Sequence, residues 1–242
     1  MKRLAWAGCA LIVPLVVARL ATPSDPLPGL PRLMLWAWES PQDLRFVRPD
    51  SAGIAFFART VWLSPHNVAS RPRLQPLRFN PGTALVAVVR LESQGQGLPP
   101  QAEAIREVLP ATKLPGIRAL QIDFDARASE RAWYAAFLRA LRRELPASLP
   151  LTITALESWC DRDDWLRGLP VSDATPMLFR MGEGERVPED FSSGVCRSSI
   201  GVSTDEVPAR VPRGRRVYYF HPGPWTKDAY DTAVAQAWRW WR

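Results

Sequence analysis

Histidine is nearly missing from this chain: His66 and His221 are the two in 242 residues. Neither stands at a metal-ligand spacing, so a zinc-type centre is not expected and no cofactor is implied. Cysteine is almost as scarce, with Cys9, Cys160 and Cys196 alone. No glycine-rich loop follows any apolar run, which removes the nucleotide-binding versions of an α/β sheet. No Gly-x-Ser-x-Gly elbow occurs either. Ser158 lies in Glu157-Ser158-Trp159, which gives a serine hydrolase no support. Internal repeats and low-complexity tracts are absent. So is an apolar run of the ~20 residues that a membrane-spanning helix needs.

What the first residues do contain is ordered like an export signal. Lys2-Arg3 precede the apolar residues 4–18, and Val16 and Ala18 supply a small-residue end. Residues 1–18 therefore read as a signal peptide, with an uncleaved N-terminal anchor as the alternative. Pro14 counts against the anchor. Too few apolar residues precede Cys9 for a lipoprotein, and Trp6 stands where Leu is usual. The expected location is the periplasm, or the inner membrane facing it, with membrane association through this segment. Loss of the signal leaves Cys160 and Cys196, an even pair in an oxidising compartment. A disulfide is expected there, two buried thiols being the alternative. Residues 19–31, rich in proline and small polar residues, read as a linker, and residues 32–242 as a single domain.

The net charge is +7, or +5 without Lys2 and Arg3. Arginine is scattered, densest at Arg213-Gly214-Arg215-Arg216. A nucleic-acid partner would call for a concentrated stripe, so none is expected. Trp238-Arg239-Trp240-Trp241-Arg242 fits the end of an amphipathic helix on a core, with a membrane-grazing role as the alternative. A monomer is expected.

Short apolar runs recur along the domain at residues 33–38, 53–63, 84–91, 117–124, 151–156, 176–181, 199–203 and 216–220. Runs of this length, rich in branched or aromatic residues, suit strands buried on both faces of a parallel sheet. Helical spacing lies between or after several of them, at residues 102–109, 129–145 and 227–241, with a short turn at 164–169. Ser129 and Thr226 are candidate caps, and Pro146 stops the second helix. Residues 64–82 and 182–198 read as loops. Eight such units predict an α/β fold, a compact TIM-like (β/α)8 barrel with several helices short or missing. The rival is an open doubly wound sheet.

In a parallel barrel the substrate meets the carboxyl ends of the strands. Charges fall there with regularity: Glu39, Arg90 with Glu92, Asp123 with Asp125, Glu157, Arg180, Asp205 with Glu206, and His221. Strand interiors are almost free of charge. Side chains alternate along a strand, so Gln121, Asp123 and Asp125 share one face, with Leu120, Ile122 and Phe124 on the other. The polar set should point into the mouth. The plainer alternative makes Asp125 a helix cap and Asp123 a loop anchor. Converging carboxylates can divide acid–base work, one raised in pKa and one ionised, as glycoside hydrolysis requires. Asp123, Asp125, Glu39 and Glu157 are the candidate catalytic residues. Trp38, Arg90, Glu92, Trp159, Arg180, Asp205, Tyr219 and His221 are the candidate substrate contacts. Each aromatic taken alone suits core packing better. A divalent cation on Asp123, Asp125 and Asp205 is a further alternative.

The segments "LWAWE", "LQIDFDAR", "LTITALESWC", "MLFRMG" and "GVSTDE" resemble an exported bacterial family of unknown function, over roughly residues 33–225. The resemblance implies a glycoside-hydrolase-type barrel. "QIDFDA" is also similar to the fourth-strand signature of chitinase-like barrels, Asp-x-x-Asp-x-Asp-x-Glu. Asp123 and Asp125 match its last two Asp, while the proton-donating Glu falls on Arg127. An acid would then come from Glu39 or Glu157. The function expected is hydrolysis or binding of a carbohydrate, such as a cell-envelope glycan. The alternative is a catalytically silent barrel binding a glycan or an envelope protein.

Overall fold

The computed structural model describes residues 25–181 and 187–242. The signal read at residues 1–18 lies outside the described residues, as does part of the loop expected at 182–198. Eight parallel strands form the frame: β1 Leu33–Ala37, β2 Gly53–Ser64, β3 Leu85–Ser93, β4 Ile117–Asp123, β5 Leu151–Leu156, β6 Asp173–Met177, β7 Ser199–Ser203 and β8 Arg216–Phe220. They bond to one another in chain order, and β1 pairs with both β2 and β8. The sheet therefore closes on itself, and the chain is a (β/α)8 barrel. The open-sheet alternative is excluded by that closure.

Among the described residues, helices flank only part of the ring. α1 (Gln101–Val108) follows β3, α2 (Arg131–Glu144) follows β4, α3 (Glu157–Asp161) follows β5, and α4 (Lys227–Trp241) follows β8. Thr226 caps α4, its Oγ1 accepting from Ala229 N at 3.2 Å. The start of the α2 region is tied instead by Glu130, whose Oε2 accepts from Arg127 N at 2.8 Å. Ser129 is not the cap, because a 3-10 turn at Ala128–Glu130 shifts the helix start. Residues 164–169 form hydrogen-bonded turns rather than a helix. Residues 64–82 are more ordered than expected. Asn67–Pro72 returns as a strand antiparallel to β2, and Leu77–Arg78 pairs with Gln42–Asp43.

Alternation sorts the core into two shells. Leu33, Leu35, Ala87, Val89, Leu120, Ile122, Ile153, Ile200 and Val217 pack outward with the helices. Met34, Trp36, Ala55, Val86, Val88, Ala119, Tyr218 and Phe220 fill the barrel. Gly201 makes room for that filling: a Cβ there would lie 2.6 Å from Met177 Sδ.

Two charges sit inside the barrel, where the sequence pattern gave almost none. Asp173 opens β6 with no exposed surface, which is why the sixth strand starts before the apolar run at 176–181. Arg216 is 4% exposed. Its guanidinium donates to the carbonyls of Pro31, Leu27 and Leu30 at 3.0, 3.0 and 3.2 Å and to Asp25 Oδ2 at 2.8 Å. Leu27 and Leu30 are buried against the same floor. The end of the segment read as a linker is thus packed under the barrel.

Candidate functional site

The mouth is organised by Asp123, the last residue of β4. Its neighbours Leu120, Ile122 and Phe124 belong to the outer shell, and Gln121 lies fully buried on the inward face. The alternation read from the sequence thus turns Asp123 inward. Its Oδ2 accepts from Arg90 Nη1 at 2.8 Å and its Oδ1 from Thr154 Oγ1 at 2.8 Å. β3 and β4 pair Arg90 with Asp123 in register, which places the ion pair without help from loops. Burial pushes the Asp123 carboxyl above its ordinary value, with Asp125 adding a small push. Arg90 and Thr154 pull the other way without cancelling the rise. A buried acid is raised because its charged form loses water.

Asp125 stands beside this pair with its carboxyl exposed, its Oδ2 3.9 Å from Arg90 Nη2. It does not tie down the following helix, since Glu130 supplies the hydrogen bond to Arg127 N. Arg90 also donates from Nε to Glu92 Oε1 at 3.0 Å and lies 5.8 Å from the Trp38 ring. Burial works against the Arg90 charge, but Asp123 first and then Glu92 outweigh it and raise its pKa. The second oxygen of Glu92 accepts from Trp62 Nε1 at 2.8 Å. Trp38 packs on Phe220 and Phe57 and roofs the filled interior. Asp123, Asp125, Arg90, Glu92 and Trp38 therefore form one constellation.

The remaining candidates stand in other settings. Glu39 is committed to the hairpin: its Oε2 accepts from Arg71 Nη2 at 2.7 Å and its Oε1 from Leu74 N at 3.0 Å. Glu157 opens α3 directly beyond β5, buried, with Arg162 Nη2 3.4 Å from its Oε2. Across the rim, His221 Nδ1 shares a 2.7 Å hydrogen bond with Thr204 Oγ1. Burial lowers the His221 pKa, and Asp205 opposes it. Asp205 accepts from Ser203 Oγ, and that bond holds its carboxyl below the ordinary range. Arg180 is exposed with φ 53°, its backbone N donating to Glu206 Oε2 at 2.9 Å.

Two candidates are corrected. Trp159 is 1% exposed and packs edge-on against Trp165 at 4.8 Å in the outer shell. Tyr219 is fully buried and stacks on Trp240 of α4 at 6.0 Å. Both point away from the mouth because strand alternation and the start of α3 turn them toward the helix layer. Among the described residues no group of three His, Cys, Asp or Glu side chains is placed to hold a metal ion. Asp123 has both oxygens engaged, so the cation weighed for Asp123, Asp125 and Asp205 finds no cage. The disulfide is present: Cys160 of α3 bonds Cys196, in the turn before β7.

Thr154, Trp62 and Arg71 went unnoticed in the sequence. Thr154 had a signal, since Thr152 and Thr154 alternate with outward Ile153 in β5. Arg71 had none, because its partner Glu39 lies 32 residues away.

The site thus belongs to a (β/α)8 barrel with an acid–arginine cluster at the carboxyl ends of β3 and β4. Within the chain, residues 81–175 match the family described as Domain of unknown function (DUF3142). These residues carry Arg90, Asp123, Asp125, Thr154 and Glu157. No curated protein matches. Among solved structures, the Bacillus cereus spore cortex-lytic enzyme SleL matches with a TM-score of 0.45 and 15% identity, over 71% of this chain. The chain spans 50% of that protein's length. The closed ring of strand pairing, rather than this likeness, defines the fold.

Proposed function

We propose that the mouth binds a carbohydrate and hydrolyses a glycosidic bond. The observation that carries this reading is the pairing of a buried acid, Asp123, with an accessible one, Asp125, across a shared arginine. Arg90 gives both carboxylates a counter-charge, so two acids stand together at one strand end, and glycoside hydrolysis works through such acids around the scissile bond. Asp125 can approach a substrate and serves as nucleophile or base. Asp123 supplies negative charge beneath the sugar ring, where positive charge develops in the transition state. Glu157, buried at the end of the strand next to that of Asp123, is the general acid. Glu39 is less suited, since both of its oxygens anchor the hairpin. Arg90 and Trp38 orient the sugar, with Arg180, Asp205 and His221 on the opposite rim. In keeping with the disulfide, the protein works outside the cytoplasm, in the periplasm, tethered or released through its N-terminal segment.

One observation favours a second reading, a barrel that binds a glycan without cleaving it. Each of the four acids is paired with an arginine: Asp123 and Asp125 with Arg90, Glu39 with Arg71, and Glu157 with Arg162. Reducing-end assays on envelope glycans separate the two readings. Hydrolysis predicts that Asp123→Asn abolishes product release while thermal unfolding stays cooperative. Full activity in that variant excludes the catalytic role. Glycan binding with no product from the wild type selects the silent barrel.

A further inference from the structure

β2 and β3 outrun the barrel. Beyond the level of Asp123 they continue with the Asn67–Pro72 strand as a three-stranded wall, in which Thr60 pairs with Arg90 and Arg71, and Trp62 with Glu92 and Ala69. Alternation gives this wall two different faces. Val61, Leu63 and Leu91 turn to the outer core. Thr60, Trp62 and Ser64 therefore share the face of Arg90 and Glu92, which is the face of the mouth. On it lies a groove of about 340 Å³ bordered by Trp62, Ser64, Asn67, Ala69, Glu92 and Gln94.

Trp62 is the large apolar side chain of that face, and it is 38% exposed. Alternation turns it away from Val61 and Leu63, so it adds nothing to the core they build. It stays at the surface, its orientation fixed by the hydrogen bond from Nε1 to Glu92, whose other oxygen is bonded to Arg90. The chain Trp62–Glu92–Arg90–Asp123 is thus continuous. Trp62 lies two strands across and two residues beyond Asp123, about 12 Å from backbone to backbone. That span exceeds one sugar ring.

We propose that Trp62 and its groove form a second sugar-binding position, so that the ligand is a neutral oligosaccharide running from the Asp123 mouth up the projecting wall. This rests on the carbohydrate reading of the mouth. The tryptophan face stacks against the apolar C–H face of a sugar ring, and Ser64, Asn67, Glu92 and Gln94 offer hydrogen-bond partners to its hydroxyls. Among the described residues no basic side chain borders the groove, so a chain of uronic acids has no counter-charge there.

The test is titration calorimetry of the full chain with chitohexaose, cellohexaose and xylohexaose and with the corresponding disaccharides. For whichever hexasaccharide binds, Trp62→Ala is expected to weaken binding about tenfold or more, because a stacked tryptophan is a typical hot spot. Trp62→Phe should restore most of it, and the disaccharide should bind both forms alike. Equal hexasaccharide affinity in wild type and Trp62→Ala, with binding still sensitive to Asp123→Asn, overturns the second position and leaves the mouth intact. Absence of binding by the wild type to every saccharide overturns both. Matched thermal unfolding of the variants separates lost contact from lost fold.

Discussion

Arg90 is the residue on which the mouth depends. It opposes the burial that raises the Asp123 carboxyl, and it lies against Asp125, Glu92 and Trp38 as well. Replacing it with glutamine removes the opposing charge, and the Asp123 pKa should rise further. The sign follows: an acid whose pKa rises ionises later, so any step requiring ionised Asp123 shifts to higher pH. Carbon-13 chemical shifts of the aspartate carboxyls, followed through a pH titration of wild type and Arg90→Gln, measure this directly. An unchanged Asp123 midpoint would show that the pair is too solvated to couple. Trp159 teaches the complementary lesson. An aromatic at a strand end read as a sugar platform, yet the immediate start of α3 rotates it into the outer core.

At the scale of elements, the loops after the strands carry the constraint. α3 is 5 residues long, too short to be stable by its own hydrogen bonds, and it is fixed to the turn before β7 by Cys160–Cys196. The cysteines are 36 residues apart, and closing such a loop in the unfolded chain stabilises the fold by about 3 to 4 kcal/mol. The double variant Cys160→Ala, Cys196→Ala should lose about that much in urea unfolding. Reduction of the wild type should give a similar loss. If Glu157 is the general acid proposed above, product formation should fall with the loss, because Glu157 opens α3. The wall built by β2 and its antiparallel partner is the other distinctive element. Glu39 fastens it to β1 through Arg71 and the Leu74 amide, a structural use of an acid that the sequence pattern placed with the catalytic candidates.

At the scale of the whole molecule, the floor of the barrel holds charge that a purely apolar interior would not. Burial raises the Asp173 carboxyl to about 6 from 3.8, against the pull of a nearby Ser199 hydroxyl and of Arg216. Its Oδ2 is 3.4 Å from Thr175 Oγ1, and its Oδ1 has no hydrogen-bond partner in the protein. Between those two pH values the folded chain holds the extra proton, so this group makes stability fall as pH rises, and the loss is complete above about 6. Asp173→Asn removes the effect. The stability of that variant relative to wild type should therefore grow from about pH 4 to about pH 7, by up to about 3 kcal/mol. Denaturant midpoints at the two pH values read it, and a difference independent of pH would place the Asp173 titration at its ordinary value.

Period-two alternation and the recurrence of short apolar runs were enough to announce eight buried strands and to turn Asp123 inward, because both follow from local backbone geometry. The two spare cysteines likewise announced their bond through compartment chemistry. The sixth strand was expected at residues 176–181 and begins instead at Asp173, a charged start that becomes tolerable only inside a closed barrel that also contains Arg216. The same holds for the partners of the acids. Whether Glu39 faces a substrate or Arg71, and whether Trp62 stands beside the mouth or in a core, depends on contacts between segments distant in sequence. Those contacts exist only once the ring has closed and fixed the register of one strand against the next.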